Sequence, residues 1–161
     1  MSTTSTTLEQ PTEGTISAYV PKDSAGVRGI YAQHYSEEEI AHVFTRINDP
    51  TVSTLVAHEG EEVIGVCVFR APHEKLLPFT TTAKPLELYS LYAKARRGGA
   101  GKMLVQEMIK QAQAQGYTEI VVASADRWQQ SWGFYDAVGF TRVGQINEPN
   151  GELLQIWTKQ L

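Results

Sequence analysis

The 161 residues suffice for one domain with its own hydrophobic core, at 42% hydrophobic and 20% charged residues. No apolar run approaches the ~20 residues of a membrane span, and a net charge of −4 without a basic block argues against a nucleic-acid partner, which needs clustered Lys and Arg. The single cysteine, Cys67, excludes an internal disulfide and suits a reducing cytoplasm.

The stretch from Met1 to Gly14 is rich in Ser and Thr and has no basic end followed by an apolar run, so it reads as a disordered tail before a domain at 15–161. Ile16 to Val20 alternates and stops at Pro21, as a first strand would. Ser24 is placed to cap a short helix carrying Val27, Ile30 and Tyr31 on one face. Ser36 with Glu39 three residues on forms a capping box for a second helix, whose apolar stripe is Ile40, Val43, Phe44 and Ile47. Two strands, Val52–His58 and Glu62–Arg70, flank a turn at Glu59-Gly60, and the second is apolar on both faces, as a central strand is. A long connection through Pro72, Pro78 and Pro85 is either functional or loosely ordered.

Leu86–Ala93 reads as a strand and Gly101–Gln115 as a helix ended by Gly116. Glu119–Ser124 is a short strand rich in β-branched residues. Asp126 is placed to cap a helix bearing Trp128, Trp132 and Tyr135 at helical spacing, and both Trp read as core. Strands at Phe140–Ile146 and Leu153–Lys159 close the chain. The order β-α-α-β-β-β-α-β-α-β-β predicts an α/β domain around one mixed sheet. Cys67 lies in an apolar run and reads as buried. His34, His42, His58 and His73 show no metal-ligand spacing, so no metal is expected and structural or surface roles are the default.

The segment Arg96-Arg97-Gly98-Gly99-Ala100-Gly101-Lys102 lies between a strand and a helix. Its glycines permit a tight turn and close backbone approach, while a helix start offers unpaired N–H groups and the positive dipole end. Together they suit an anion such as a pyrophosphate. It is neither a Walker loop, lacking Gly-Lys-Ser/Thr, nor the dinucleotide fingerprint, whose glycine spacing differs. A Gly-rich turn with solvated basic residues would read the same way.

Here the chain resembles the GNAT N-acetyltransferase superfamily. Arg96-x-x-Gly99-x-Gly101 is similar to its acetyl-CoA loop and Phe134-Tyr135-x-x-x-Gly139-Phe140 to its second signature, in the expected order and separation. The resemblance implies a mixed, mostly antiparallel sheet flanked by helices and acetyl-CoA as cosubstrate. It implies that backbone groups of Leu91, Tyr92 and Ala93 pair with pantetheine where the fourth strand splays from the next. Backbone N–H groups from Arg97 to Lys102 would hold the pyrophosphate, with Arg96 and Lys102 adding charge. Tyr135 would protonate the leaving thiolate. Three positions depart from the family pattern: the stretch from Tyr92 to Arg96 is short, Trp128 and Gln130 stand where Asn is common, and Ala93 and Ala95 replace bulkier residues or Pro. Gln130 remains able to hydrogen-bond pantetheine. Leu86-Glu-Leu-Tyr-Ser-Leu-Tyr92 and the C-terminal half are similar to the spermidine/spermine and small-amine acetyltransferases.

Alkylamines have pKa values near ~10, so a base must free the attacking nitrogen at neutral pH. Glu87 and Tyr89 alternate with Leu88 and share a side of their strand. Glu87 matches a position where the family often carries an acidic residue that takes the proton directly or through water; an ordinary ion pair is the alternative. Tyr135 has a core aromatic as its alternative. The expected reaction is direct transfer, in a ternary complex, to a primary amine of a small molecule or peptide, by a monomer or homodimer. A non-catalytic acyl-CoA-binding domain of the same fold is the second reading, motivated by the missing Asn and the short loop.

Overall fold

The computed structural model describes residues 14–94 and 99–161. Along them run β1 (Thr15–Ala18), α1 (Ser24–Tyr31), α2 (Glu37–Ile47), β2 (Ser53–Glu59), β3 (Glu62–Arg70), β4 (Pro85–Ala93), α3 (Ala100–Ala114), β5 (Glu119–Ala125), α4 (Trp132–Ala137), β6 (Thr141–Asn147) and β7 (Leu153–Gln160). This is the expected order. Short 3-10 segments at Pro21–Asp23, Glu74–Phe79 and Asp126–Ser131 fill three of the connections. The strands form one sheet in the order β1-β2-β3-β4-β5-β7-β6. Every neighbouring pair is antiparallel except β4 and β5.

Local signals explain most boundaries. The α2 capping box forms: the Glu39 N–H donates to Ser36 Oγ at 3.2 Å, and the Ser36 N–H donates to Glu39 Oε1 at 2.9 Å. Helix α3 ends at Gly116, whose φ of 84° is the left-handed value a glycine cap supplies. The start of α1 differs from expectation. The chain tightens into a 3-10 turn at Pro21, so Asp23 rather than Ser24 flanks the helix. The Asp23 carboxylate accepts the Val20 N–H and pairs with His58 Nε2, each at 3.0 Å.

The sheet is covered on both faces. On one, α3 and α4 pack Leu104, Val105, Met108, Trp132 and Tyr135 over Cys67, Leu88, Ile120 and Trp157. On the other, α1 and α2 pack Val27, Ile30, Tyr31, Ile40 and Phe44 over Val56, Val66 and Val68. Each fully buried aliphatic contributes roughly 2 kcal/mol by leaving water. Gly65 lets α3 settle closely on β3, because a Cβ there would lie 2.9 Å from Leu104 Cδ1. The long connection before β4 is ordered. Its 3-10 segment places Leu76 and Phe79 over Val121 and Ile156. The fully buried Glu119 carboxylate accepts N–H groups of Thr81 and Thr82 and the Thr82 hydroxyl at 2.8–3.0 Å. Among the described residues no helix is long and apolar enough to cross a membrane.

Candidate active site

The parallel pairing of β4 with β5 covers only Pro85–Leu88 against Glu119–Val122. Beyond it the strands part, β4 following β3 and β5 following β7. A bulge reinforces the parting. Leu88 opposes Phe69 and Ser90 opposes Val68, so Tyr89 is the extra residue. Strict alternation would send Ser90 to the α3 face. Instead Tyr89 packs on the α1–α2 side and the Ser90 hydroxyl meets the Tyr31 hydroxyl there at 2.8 Å. Leu91 then returns to the α3 side and Tyr92 to the α1–α2 side.

The gap is a cleft of about 280 Å³. Tyr89 to Ala93 form one wall and Val122 to Ala125 the other, with Gln130, Ser131 and Tyr135 at the α4 side. His34 and Tyr35, in the turn after α1, and Trp128 line its remaining side. The rings pack on one another: Tyr92 lies 4.7 Å from His34, 5.5 Å from Tyr35 and 5.9 Å from Trp128, centroid to centroid. The Tyr35 and Tyr92 hydroxyls are 2.9 Å apart. An adjoining cavity of about 710 Å³ shares Tyr35 and Tyr89 with the cleft and adds Glu38, Glu39, His42 and Arg127.

Of the residues expected at the site, Leu91, Tyr92, Ala93, Gln130 and Tyr135 all line this cleft. Gly99, Ala100, Gly101 and Lys102 start α3, beside α4, where a Cβ on Gly101 would stand 3.5 Å from the Phe134 ring. Gly99 holds φ 84° and, having no side chain, supplies no cap, so among the described residues the first N–H groups of this helix are open to an anion. Arg96, Arg97 and Gly98 lie outside the described residues.

Glu87 and Trp128 stand apart from these residues. Glu87 does not line the cleft. Its carboxylate, 6% exposed, accepts the His73 N–H at 2.9 Å and Arg70 Nε at 3.3 Å, and so ties down the connection that follows β3. Glu87 pairs with Val121 in the stretch where β4 and β5 are still joined, so it sits before the cleft opens. Trp128 is not core. It sits in a 3-10 segment at φ −108°, ψ 22°, so the helical spacing that joined it to Trp132 fails and its ring turns to the cleft. Trp132 is buried as expected.

Electrostatics separate the cleft's titratable groups. Burial raises Tyr135, Tyr31, Tyr35 and Tyr92 above the ordinary tyrosine range, so all remain protonated donors at neutral pH. Burial lowers His34, which favours its neutral form. Cys67 is wholly buried, its Sγ 4.0 Å from Met108 Sδ, and burial pushes its thiol up, away from thiolate chemistry. His34 carried no signal in the sequence, and Trp128 carried only its place in the aromatic spacing and beside Gln130 where the family often has Asn.

The splayed strands, the glycine start of α3 and the Tyr135 wall define an acyl-CoA transferase architecture. Residues 22–140 match the acetyltransferase (GNAT) family, and the chain belongs to that family. Similar solved structures include a protein assigned to the GNAT acetyltransferases from Desulfovibrio desulfuricans. It is 14% identical, with a TM-score of 0.78 over 92% of this chain and 99% of that one. An aminoglycoside 6′-N-acetyltransferase complexed with coenzyme A gives 15% identity and a TM-score of 0.72 over 91% and 96%. The PaiA N-acetyltransferase from Thermoplasma acidophilum, in complex with coenzyme A, gives 19% and 0.66 over 92% and 99%. A comparison with curated protein sequences finds no match.

Proposed function

We propose that this protein transfers the acetyl group of acetyl-CoA to a primary amine of a small molecule or peptide, by direct attack in a ternary complex. The observation that carries this reading is the cleft between β4 and β5, with Tyr135 in its wall and the uncapped start of α3 beside it. The backbone edge at Leu91, Tyr92 and Ala93 pairs with the pantetheine arm, and Gln130 reaches it from across the cleft. Backbone N–H groups over the α3 start, together with the Arg96-Arg97-Gly98 segment, hold the pyrophosphate. A backbone N–H at Tyr92 or Ala93 serves the oxyanion. Tyr135, held protonated by burial, gives its proton to the leaving thiolate.

The acceptor approaches from the α1–α2 side through the adjoining cavity. Glu38 and Glu39 there favour a cationic amine, in keeping with the small-amine resemblance of the sequence. Glu87 is proposed as an anchor of the connection between β3 and β4. No covalent acyl-enzyme is needed, since Cys67 is sealed in the core. The test is thiol release from acetyl-CoA with kanamycin, spermidine, tyramine and a peptide with a free N-terminus. Amine-dependent release supports the reading. Tight acetyl-CoA binding with no release from any amine would favour the non-catalytic acyl-CoA-binding alternative.

A further inference from the structure

Once Glu87 is tied to Arg70 and the His73 N–H, the transfer reaction lacks a base in the cleft. The acceptor ammonium must lose a proton before its nitrogen attacks, and Glu87 does not line the cleft to take it directly. Geometry divides the cleft by function. Tyr135 and α3 lie on one face of the sheet, whereas His34, Tyr35, Tyr89 and Tyr92 lie towards the other. The acyl donor occupies the first side, so the amine meets the second.

Resting on the acetyl-transfer reading above, we propose that His34 is the general base that takes the proton from the acceptor ammonium. Its imidazole is held at the cleft rim, face-tilted on Tyr92 at 4.7 Å and edge-on to Trp128 at 5.5 Å. The turn that carries it is fixed by the His34 N–H, which donates to the Tyr31 carbonyl at 2.9 Å. Other titratable groups around it are poorly suited to the task. Tyr31 and Tyr35 on its own segment, Tyr92 on β4 and Tyr135 on α4 stay protonated through burial. From α2, Glu39 is engaged by Ser36 and by Arg127 at 3.6 Å, while Glu38 and His42 line the adjoining cavity rather than the cleft. Arg127 is itself shared between Glu39 and Glu152 and lies over the Trp128 ring. Partial burial lowers His34 and so favours the neutral form that can accept a proton, and its exposed position at the rim lets the imidazolium pass the proton on to water.

The step balances. The ammonium nitrogen gives one proton to His34. Its freed lone pair forms the C–N bond while the carbonyl π pair moves to oxygen. The tetrahedral centre collapses, the C–S bond breaks, and Tyr135 protonates the departing sulfur. The second nitrogen proton, passed through water, restores the Tyr135 hydroxyl. The products are the amide, the thiol and one proton released through His34.

The experiment compares wild type, His34→Gln and His34→Ala, using acetyl-CoA with kanamycin, spermidine, tyramine and a free N-terminal peptide. It measures thiol release against pH and acetyl-CoA affinity by calorimetry. Wild-type kcat is expected to rise with pH through a limb centred below the ordinary histidine value of ~6.5. His34→Gln should lose that limb and about 10²-fold in kcat at pH 7, with acetyl-CoA affinity unchanged. Added imidazole should restore part of the rate to His34→Ala. A Gln variant that keeps both rate and limb overturns the base assignment and leaves acetyl transfer standing. Loss of acetyl-CoA affinity in both variants would overturn it too, making His34 a binding residue. Absence of release by wild type with every amine overturns the acetyl-transfer reading and this proposal together.

Discussion

Along β4 and β5 the same two strands are paired at one end and parted at the other, and their polar groups are used differently. At the paired end, Glu119 is fully buried and its carboxylate is saturated, by Thr81, Thr82 and the Gln160 side chain. At the parted end, Tyr35, Tyr89, Tyr92, Tyr135 and His34 line an opening of about 280 Å³. Burial with full hydrogen bonding fixes the connection before β4 and offers nothing to a ligand. Burial beside a cleft tunes proton affinity and leaves donors facing inward. The difference teaches that a buried carboxylate is a functional candidate only when its oxygens are still unspent.

The largest expected effect tests the paired end. Glu119→Ala removes the buried acceptor of the Thr81 and Thr82 N–H groups and the Thr82 hydroxyl, and each hydrogen bond to a charged group contributes ~1.5–3 kcal/mol. The expected loss of unfolding free energy is about 4 kcal/mol, read from urea denaturation. A loss below about 1 kcal/mol would break the comparison, since the saturated end would then contribute no more than a surface pair. Next comes Tyr135→Phe at the parted end. It keeps the ring against Trp157 and Phe140 while removing the hydroxyl. The expected fall in kcat is about 10²-fold, with acetyl-CoA affinity and melting temperature almost unchanged. Full activity would reduce Tyr135 to a packing residue.

Gly99 and Gly101 sharpen the contrast further, because they are glycine for different reasons. Gly101 has ordinary backbone geometry, and its missing side chain leaves space beside Phe134. Gly101→Val should weaken acetyl-CoA binding about tenfold, or roughly 1.4 kcal/mol by calorimetry, before it unfolds the domain. Among the described residues nothing stands within 4 Å of where a Cβ on Gly99 would lie, but its backbone is left-handed. Gly99→Ala should cost about 1 kcal/mol of stability and change affinity less than Gly101→Val does. Equal effects of the two on affinity would show that the turn, not the space, holds the ligand.

Much of this architecture is legible in the sequence because it is written locally. The Ser36–Glu39 box, the glycine after α3 and the periods of the helices and strands each act within a few residues, and the element order follows from them. Leu91, Tyr92, Ala93, Gln130 and Tyr135 were legible through resemblance, and all of them reach the cleft. What stayed hidden depends on partners distant in the chain. The bulge at Tyr89 is set by the register with β3, and it decides which β4 side chains meet the cleft. Trp128 turned outward because its segment is 3-10, a difference that aromatic spacing does not encode. His34 gains significance from its ring contacts with Tyr92 and Trp128, which only the fold brings together.

Glu87 is the instructive case, and the smallest expected effect belongs to it. Its position on β4 fits a catalytic carboxylate by alternation alone. The folded chain gives its oxygens to the His73 N–H and to Arg70, which also lies 4.2 Å above the Tyr89 ring. Glu87→Gln keeps a carbonyl oxygen for the His73 N–H and removes only the charge facing Arg70. Arg70 is partly exposed, so solvent already screens the pair, and the expected loss of stability is about 1 kcal/mol or less. Because the carboxylate does not reach the cleft, kcat/KM with an accepted amine should stay within about a factor of two of wild type across the pH range. The two pH profiles should run parallel. A base at this position predicts a different curve: severe loss near neutral pH, recovering as the pH rises and free amine appears without help. That curve would mean the connection between β3 and β4 releases Glu87 when substrates bind. It would also remove the distinction between saturated groups at the paired end and available ones at the parted end of this strand pair.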